Sequence, residues 1–248
     1  MELPKATDLL KQSWEIFKQK IKILIQIQII PFIVAIPLLV MMGAAGLLDE
    51  KGSKSFSDVN FIAVLAIIAL GVLAGVVQLW AQIAMIKAIA DPDSQNIKET
   101  FRQSRHLILP YLWVSVLIGL IVLGGFILLI IPGIIFAFWY CFSPYALILE
   151  NKRGMEALRT SKGYVKGNIG KIFSRYVLLM LLALVVFAIP SGVLGGLHLK
   201  AVGDIYTWVV SLVFSPVAAI YSYLIYRRLQ DMKASTGSLT ANAQPEQV

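Results

Sequence analysis

The residues able to do acid–base or metal chemistry are few, and they lie far apart in this sequence. The two histidines, His106 and His198, fall at opposite membrane faces of the predicted chain and cannot share a metal ion. Cys141, the single cysteine, lies in an apolar run without a second thiol. The acidic residues fall almost wholly in loops, whereas acid–base catalysis needs groups that converge in one pocket. We therefore predict no catalytic residue, no metal site, no cofactor and no enzymatic activity.

Polar side chains inside apolar runs point to a different kind of site. Two Ser-Pro pairs occupy matching positions in two runs, and a proline within a membrane helix leaves a carbonyl that lipid cannot satisfy. One helical turn separates Gln78 from Gln82, which share a face, and Gln26 and Gln28 add polar groups to the first run. The Ser-Pro pairs fit either two packing kinks or the lining of a central cleft for a lipid or small amphiphile. The glutamines fit either hydrogen bonding between helices or the lining of a cavity. The candidate cleft residues are Ser143, Pro144, Ser215, Pro216, Gln78 and Gln82.

The segment that follows the fourth apolar run carries seven basic residues and only two acidic ones, Glu150 and Glu156. A Lys or Arg near an anionic leaflet contributes about 1 kcal/mol of binding, so this segment is predicted to contact anionic lipid headgroups. The same charges would also orient the chain across the membrane. The candidate headgroup-binding residues are Lys152, Arg153, Arg159, Lys162, Lys166, Lys171 and Arg175.

Composition limits the kind of fold that can position these residues. The chain of 248 residues is 58% hydrophobic and 15% charged. Soluble domains are about half apolar and about one-quarter charged, so the excess apolar surface requires lipid. The net charge of +8 does not indicate nucleic-acid binding, because the aromatic residues lie in the apolar runs and not on a basic face.

Six apolar segments are long enough to cross the membrane, since a helix needs about 20 residues to span about 30 Å of hydrocarbon. A tight turn at Ile131-Pro132-Gly133 is predicted to divide the third segment from the fourth, because proline disfavours helix at the residue before it. The predicted fold class is therefore an all-α polytopic membrane protein with six transmembrane helices. The predicted spans are residues 23–42, 61–86, 107–130, 134–149, 172–194 and 205–226.

The distribution of positive charge predicts the orientation. All Lys and Arg except Lys51, Lys54 and Lys200 fall on one side of the six-span plan. The positive-inside rule places that side and both termini in the cytoplasm, so we predict a multi-pass protein of the cytoplasmic (inner) membrane. The first apolar run is longer than the core of a signal peptide, and residues 44–46 form a weak cleavage site, so no cleavage is expected.

Three segments on the cytoplasmic side have apolar residues at helical spacing opposite charged ones, which predicts amphipathic helices at the membrane interface. Each precedes two spans, and we interpret the chain as three repeats of an amphipathic helix and a transmembrane hairpin. A single membrane domain then covers residues 1–233, and the polar residues 234–248 are predicted to form a disordered cytoplasmic tail. The three helices share the pattern Leu10-Lys11-Gln12-Ser13, Phe101-Arg102-Gln103-Ser104 and Leu158-Arg159-Thr160-Ser161.

Part of the chain resembles a known family. The residues that carry the resemblance lie between Ile131 and Arg175: Ile131-Pro132-Gly133-Ile134-Ile135, Trp139, Ser143-Pro144, Glu150, Ala157-Leu158, Ser161 and Lys166-Gly167. This stretch is similar to the glycerophosphoryl diester phosphodiesterase membrane-domain family and to the related uncharacterised YciC-type bacterial inner-membrane proteins. The resemblance implies a bacterial or archaeal cytoplasmic-membrane protein. It does not imply hydrolysis, which in that family belongs to a separate appended domain.

These features favour a non-enzymatic membrane protein that handles or senses lipids in envelope maintenance, with membrane lipids as partners and no nucleic acid. One alternative is a transporter or channel for a small solute, which needs a continuous polar route. Another is a scaffold or assembly partner for other membrane proteins. A cavity at Pro144 and Pro216 would favour lipid handling or transport, whereas tight packing there would favour a scaffold. The sequence does not set an oligomeric state.

Overall fold

The computed structural model describes residues 3–45, 61–92, 94, 96–197 and 199–242, and their side chains except those of residues 200 and 236–242. His198, Lys51, Lys54, Gly46 and residues 243–248 lie outside the described residues. Within the described ranges the chain is helical apart from short turns, and no strand occurs there. The helices are α1 (Ala6–Ala44), α2 (Phe61–Ala90), α3 (Ile97–Ser104), α4 (Ile108–Leu128), α5 (Ile130–Tyr140), α6 (Ser143–Glu150), α7 (Met155–Val165), α8 (Ile169–Ala183), α9 (Ile189–Gly196) and α10 (Lys200–Asn242).

Six helical segments are long and apolar enough to cross a membrane, which confirms the six-span, all-α fold. Large apolar side chains cover their outer surface: Leu109, Ile127 and Leu128 are 75%, 77% and 76% exposed. Such a surface is unfavourable in water and suits contact with lipid chains. The six segments are Ala6–Ala44, Phe61–Ala90, Ile97–Leu128, Ile130–Glu150, Ile169–Gly196 and Ala201–Ser235.

A break separates each predicted amphipathic segment from the span that follows it. Within α1, Lys20 has the non-helical angles φ −110° and ψ 16°. A turn of 3₁₀ helix at Arg105–Leu107 joins α3 to α4. Between α7 and α8, Gly167 has a φ of 91°, a left-handed conformation that favours glycine. The unit of an amphipathic segment and two spans therefore recurs three times, as α1–α2, α3–α6 and α7–α10.

The serine of the repeated pattern is fully buried in all three amphipathic helices. Ser13 and Ser104 donate to the carbonyl four residues earlier, at 2.7 Å and 2.6 Å. Ser161 instead donates to the Trp139 carbonyl at 2.7 Å and accepts from the Phe142 N–H at 3.2 Å. This third serine therefore satisfies backbone groups where the fourth span breaks between α5 and α6.

The structure differs from the sequence predictions at two prolines. The chain turns at Leu129, with φ −166° and ψ 151°, and not at residues 131–133. Pro132 lies instead in the first turn of α5, where the missing N–H would have no helical partner. Likewise Pro144 lies in the first turn of α6, after a complete break in the span. Of the prolines in the two Ser-Pro pairs, only Pro216 lies inside a continuous helix, α10.

The last helix extends further than the sequence predicted. Residues 234–242 belong to α10, where a disordered tail was expected. A helix that is already formed adds residues at little cost, and alanine, lysine and methionine around residue 233 are strong helix formers. Residues 243–248 of the predicted tail lie outside the described part of the chain.

Two buried clusters meet along α10. Ile220 packs in one cluster with Leu24 of the first span, whereas Tyr221 and Tyr226 pack in the other with Phe142. These five side chains are 0% exposed. The helix therefore connects the first unit of the repeat with the second and third.

The hairpin of α4 and α5 packs closely at two glycines. A Cβ added at Gly125 would lie 2.9 Å from the Cα of Gly133, and one added at Gly133 would lie 2.6 Å from the ring of Phe126. Carbon atoms in contact are normally about 3.5–4.0 Å apart. A side chain at Gly125 would therefore clash with the backbone of α5, and one at Gly133 would require the Phe126 ring to move.

Candidate functional site

A cleft of about 310 Å³ lies among α1, α2, α4, α6, α8 and α10. Four of the six predicted cleft residues line it, namely Gln78, Gln82, Pro144 and Ser215, together with Gln28 from α1. The other two do not line it. Ser143 is buried with no hydrogen-bond partner for its hydroxyl among the described residues, and Pro216 is buried in α10.

Three tyrosines that were not among the predicted cleft residues also line the cleft: Tyr111, Tyr145 and Tyr176. Each lies inside an apolar run, where a phenol hydroxyl needs a hydrogen-bond partner. A tyrosine within an apolar run could therefore have been used in the sequence to predict a polar site. Ser222 on α10, about two turns beyond Ser215 along the helix, was missed as well.

The hydroxyl hydrogens of the three tyrosines and of Ser222 are already directed at protein acceptors. Tyr111 donates to Oε1 of Gln82 at 2.9 Å, and Tyr145 donates to the Ala219 carbonyl at 3.2 Å. Tyr176 Oη donates to Ser222 Oγ at 3.0 Å, and Ser222 donates in turn to a carbonyl of α10. Since a phenol oxygen that donates can still accept, these tyrosines offer acceptor lone pairs.

Other lining groups are available to donate. The side chains of Gln28, Gln78 and Ser215 make no hydrogen bond within the described part of the chain, and the Gln82 amide nitrogen has none. Gln78 and Gln82 are exposed, so the cleft is open on the α2 side. None of the residues lining the cleft is Asp, Glu, Lys, Arg or His. The site is therefore polar, uncharged and accessible from outside the bundle.

An apolar groove of about 480 Å³ adjoins the cleft between α5, α8 and α10. Phe138, Phe173 and Met180 are among its lining residues. Cys141 and Tyr176 line both the groove and the cleft, so the two spaces share a wall. Hydrogen-bonding groups and apolar surface are thus placed side by side.

Basic side chains cap backbone carbonyls at one end of the bundle, which we call the basic end (Lys20, Lys87 and Arg175). Lys20 Nζ donates to the Ala88 carbonyl at 2.6 Å, and Lys87 Nζ donates to the Gln103 carbonyl at 2.7 Å. The Arg175 guanidinium donates to two carbonyls of the segment before α1, at 2.8 Å each. These bonds satisfy carbonyls near helix ends and fasten the amphipathic segments to the spans.

The predicted headgroup-binding residues divide into two groups. Three are engaged within the protein: Lys152 pairs with Glu156 at 2.7 Å, Lys162 lies 4.1 Å from the ring centre of Trp139, and Arg175 caps carbonyls as described. The others are exposed and form no ion pair or side-chain hydrogen bond with any residue that the structure describes: Arg153, Arg159, Lys166 and Lys171.

The carboxylate of Glu150 joins three helices near the same end. Its Oε1 accepts from the Tyr164 hydroxyl of α7 at 2.9 Å, from the Tyr226 hydroxyl of α10 and from the Gln230 amide at 3.3 Å. Burial, and then the adjacent carboxylate, raise the pKa of Tyr164 to about 12. Tyr164 therefore remains a donor at neutral pH.

One comparison with known proteins gives a match. A family model fits residues 107–229, and it describes a domain of unknown function, DUF7847. No curated protein and no solved structure matches the chain. The matched segment begins just before α4 and ends in α10. It therefore contains Tyr111, Pro144, Tyr176 and Ser215 of the cleft, but not the glutamines of α1 and α2.

Two of the groups able to do acid–base or metal chemistry, His106 and Cys141, lie in the described part of the chain. His106 is exposed in the 3₁₀ turn before α4. Cys141 Sγ donates to the Phe138 carbonyl at 3.1 Å. Across the described ranges, no group of three or more His, Cys, Asp or Glu side chains is placed to hold a metal ion.

Proposed function

We propose that the protein is a non-enzymatic integral membrane protein that handles or senses lipids in envelope maintenance. The observation that carries this proposal is the uncharged polar cleft that shares Cys141 and Tyr176 with an apolar groove. An amphiphile needs hydrogen bonds for its headgroup and apolar surface for its chain, and here both are within one molecule's length. The opening on the α2 side allows entry from the lipid without passage through the bundle.

A second part of the proposal concerns the basic end. Arg153, Arg159, Lys166 and Lys171 are exposed and unpaired within the described residues, which suits contact with anionic headgroups. The excess of positive charge at this end supports placing it and both termini in the cytoplasm. The resemblance of residues 131–175 to a membrane-domain family without its own hydrolytic centre is consistent with the proposal.

Lipid identification tests the first part. The wild type, the double variant Gln78→Leu/Gln82→Leu and the control Gln26→Leu would be purified in polymer-bounded discs of native membrane. Gln26 is an exposed glutamine of α1 outside the cleft, so Gln26→Leu makes the same chemical change away from the proposed site. We expect one lipid class to be enriched over the bulk membrane in the wild type and the control. In the double variant the enrichment should fall about 30-fold, since two hydrogen bonds of about 1 kcal/mol each are lost. Lipid compositions equal to the bulk membrane in all three proteins would contradict the proposal.

Cysteine labelling tests the orientation. In a Cys141→Ser background, Arg159→Cys should react with a membrane-impermeant maleimide only after the cells are permeabilised. Reaction in intact cells would place the basic end outside.

A further inference from the structure

The cleft lies deeper in the membrane than the basic end. At 1.5 Å per residue, Gln82 and Gln78 lie about 8 Å and about 14 Å from Lys87 along α2. Gln28 lies about 9 Å from Lys22 along α1. The polar zone on each side of a bilayer is about 5 to 8 Å thick. With Lys87 and Lys22 among the headgroups, the cleft is at the level of the glycerol backbone and upper chains of the surrounding lipids.

The charge of the cleft decides which headgroups can enter it. A phosphate drawn to this depth would leave water without a Lys, Arg or His to pair with it, because none lines the cleft. Burial of an unpaired charge is far more costly than burial of a hydroxyl group. The exposed cations, Arg153 and Arg159 among them, are not among the residues that line this space.

The direction of the hydrogen bonds leads to the same conclusion. Tyr111, Tyr145 and Tyr176 donate to protein acceptors and so offer lone pairs, while Gln78 and Gln82 have amide hydrogens to give. A hydroxyl group both donates and accepts, so it can use both kinds of group. A phosphate oxygen only accepts, so it could use the glutamine amides but would gain nothing from the three phenol groups while they donate to their protein acceptors.

We propose that the cleft binds an amphiphile whose headgroup is uncharged and carries hydroxyl groups, as in a diacylglycerol or a long-chain alcohol, and that it rejects the phosphorylated form of the same molecule. This inference rests on the proposed lipid-handling function and names its ligand class. The headgroup occupies the polar cleft, and a hydrocarbon chain passes Cys141 and Tyr176 into the apolar groove.

Photo-crosslinking with two matched probes tests the proposal. The full-length protein in nanodiscs would be exposed to a diacylglycerol that carries a diazirine near the end of one chain, or to the phosphatidic acid with the same two chains. We expect the diacylglycerol to label peptides that contain Phe173, Met180 or Phe214, at least about tenfold more than the phosphatidic acid. The double variant Gln78→Leu/Gln82→Leu should lower this labelling about 30-fold, and Gln26→Leu should leave it unchanged.

A gain-of-function variant gives an independent result. Gln82→Lys places a cation at the open side of the cleft, where the side chain is exposed, and should increase labelling of the same peptides by phosphatidic acid. Equal or stronger labelling of the wild type by phosphatidic acid would overturn the inference and leave the lipid-handling proposal intact. Labelling of these peptides by neither probe, together with no enriched lipid in native discs, would overturn both.

Discussion

The close approach of α4 and α5 gives the sharpest test of the fold, because two adjacent glycines have opposite surroundings. A Cβ at Gly125 would lie 2.8 Å from Cδ2 of Phe136 and 2.9 Å from the Cα of Gly133. The second contact is with backbone, which cannot rotate away. A Cβ at Gly124 would have no atom within 4 Å outside its own helix. Gly125→Ala and Gly124→Ala are therefore the same substitution with and without a clash.

The size of the effect follows from these distances. To restore normal carbon–carbon contacts of about 3.5–4.0 Å, the two helices must separate by about 0.6 to 1.1 Å at Gly125. Overpacking of this kind costs about 1–3 kcal/mol, which lowers the folding equilibrium constant about 5- to 150-fold. At Gly124 the alanine restricts only the unfolded chain, so we expect a change between zero and a gain of about 1 kcal/mol.

Reversible unfolding in bicelles, followed by tryptophan fluorescence, measures both variants against the wild type. Gly133→Ala should cost less than Gly125→Ala, because its Cβ would meet only the half-exposed Phe126 side chain, which can move. If Gly125→Ala and Gly124→Ala change the free energy of unfolding by the same amount, the hairpin does not pack as described.

Three further predictions concern the basic end. Lys20→Met should lower the free energy of unfolding by about 1–3 kcal/mol, because carbonyls at the end of α2 lose their donor. Lys18→Met, at an exposed site, should change that free energy by no more than about 0.5 kcal/mol. Equal effects of the two substitutions would contradict the capping role of Lys20. Arg175→Gln should speed hydrogen–deuterium exchange in residues 3–10, since it removes the bonds to the segment before α1, and Lys171→Gln should not. Because the pKa of Tyr164 is raised from 10.0 to about 12 in the folded protein, its proton contributes stability below pH 10 that is lost as the pH rises from about 10 to about 12. Tyr164→Phe should reduce that loss in a pH series of unfolding measurements, and an unchanged slope would refute the assignment.

The six membrane-spanning segments followed from the sequence because each depends on local properties. Hydropathy over about 20 residues predicts a span, and the basic segments between spans predict where each unit of one amphipathic helix and two spans begins. The pairing of Gln78 and Gln82 on one face also followed from helical spacing alone. All of these signals lie within a single element, so no knowledge of tertiary packing was needed.

The parts that the sequence did not predict depend on packing between elements. Pro144 lines the cleft and Pro216 does not, although both follow a serine in similar surroundings, because neighbouring helices decide which side of each helix faces the cavity. The role of Ser161 needs α7 to lie against the break in the fourth span. The turn at Leu129 is displaced from the predicted position because proline is well tolerated in the first turn of a helix.

The connection at Leu129 has a consequence for how the protein is made. Because one residue separates α4 from α5, no soluble loop connects these two spans on the side of the membrane opposite the basic end. A connection this short favours entry of the two helices into the bilayer together, as a hairpin. The translocation machinery would carry no polar segment across the membrane at this point, and a protease acting from that side would find no extended peptide to cut.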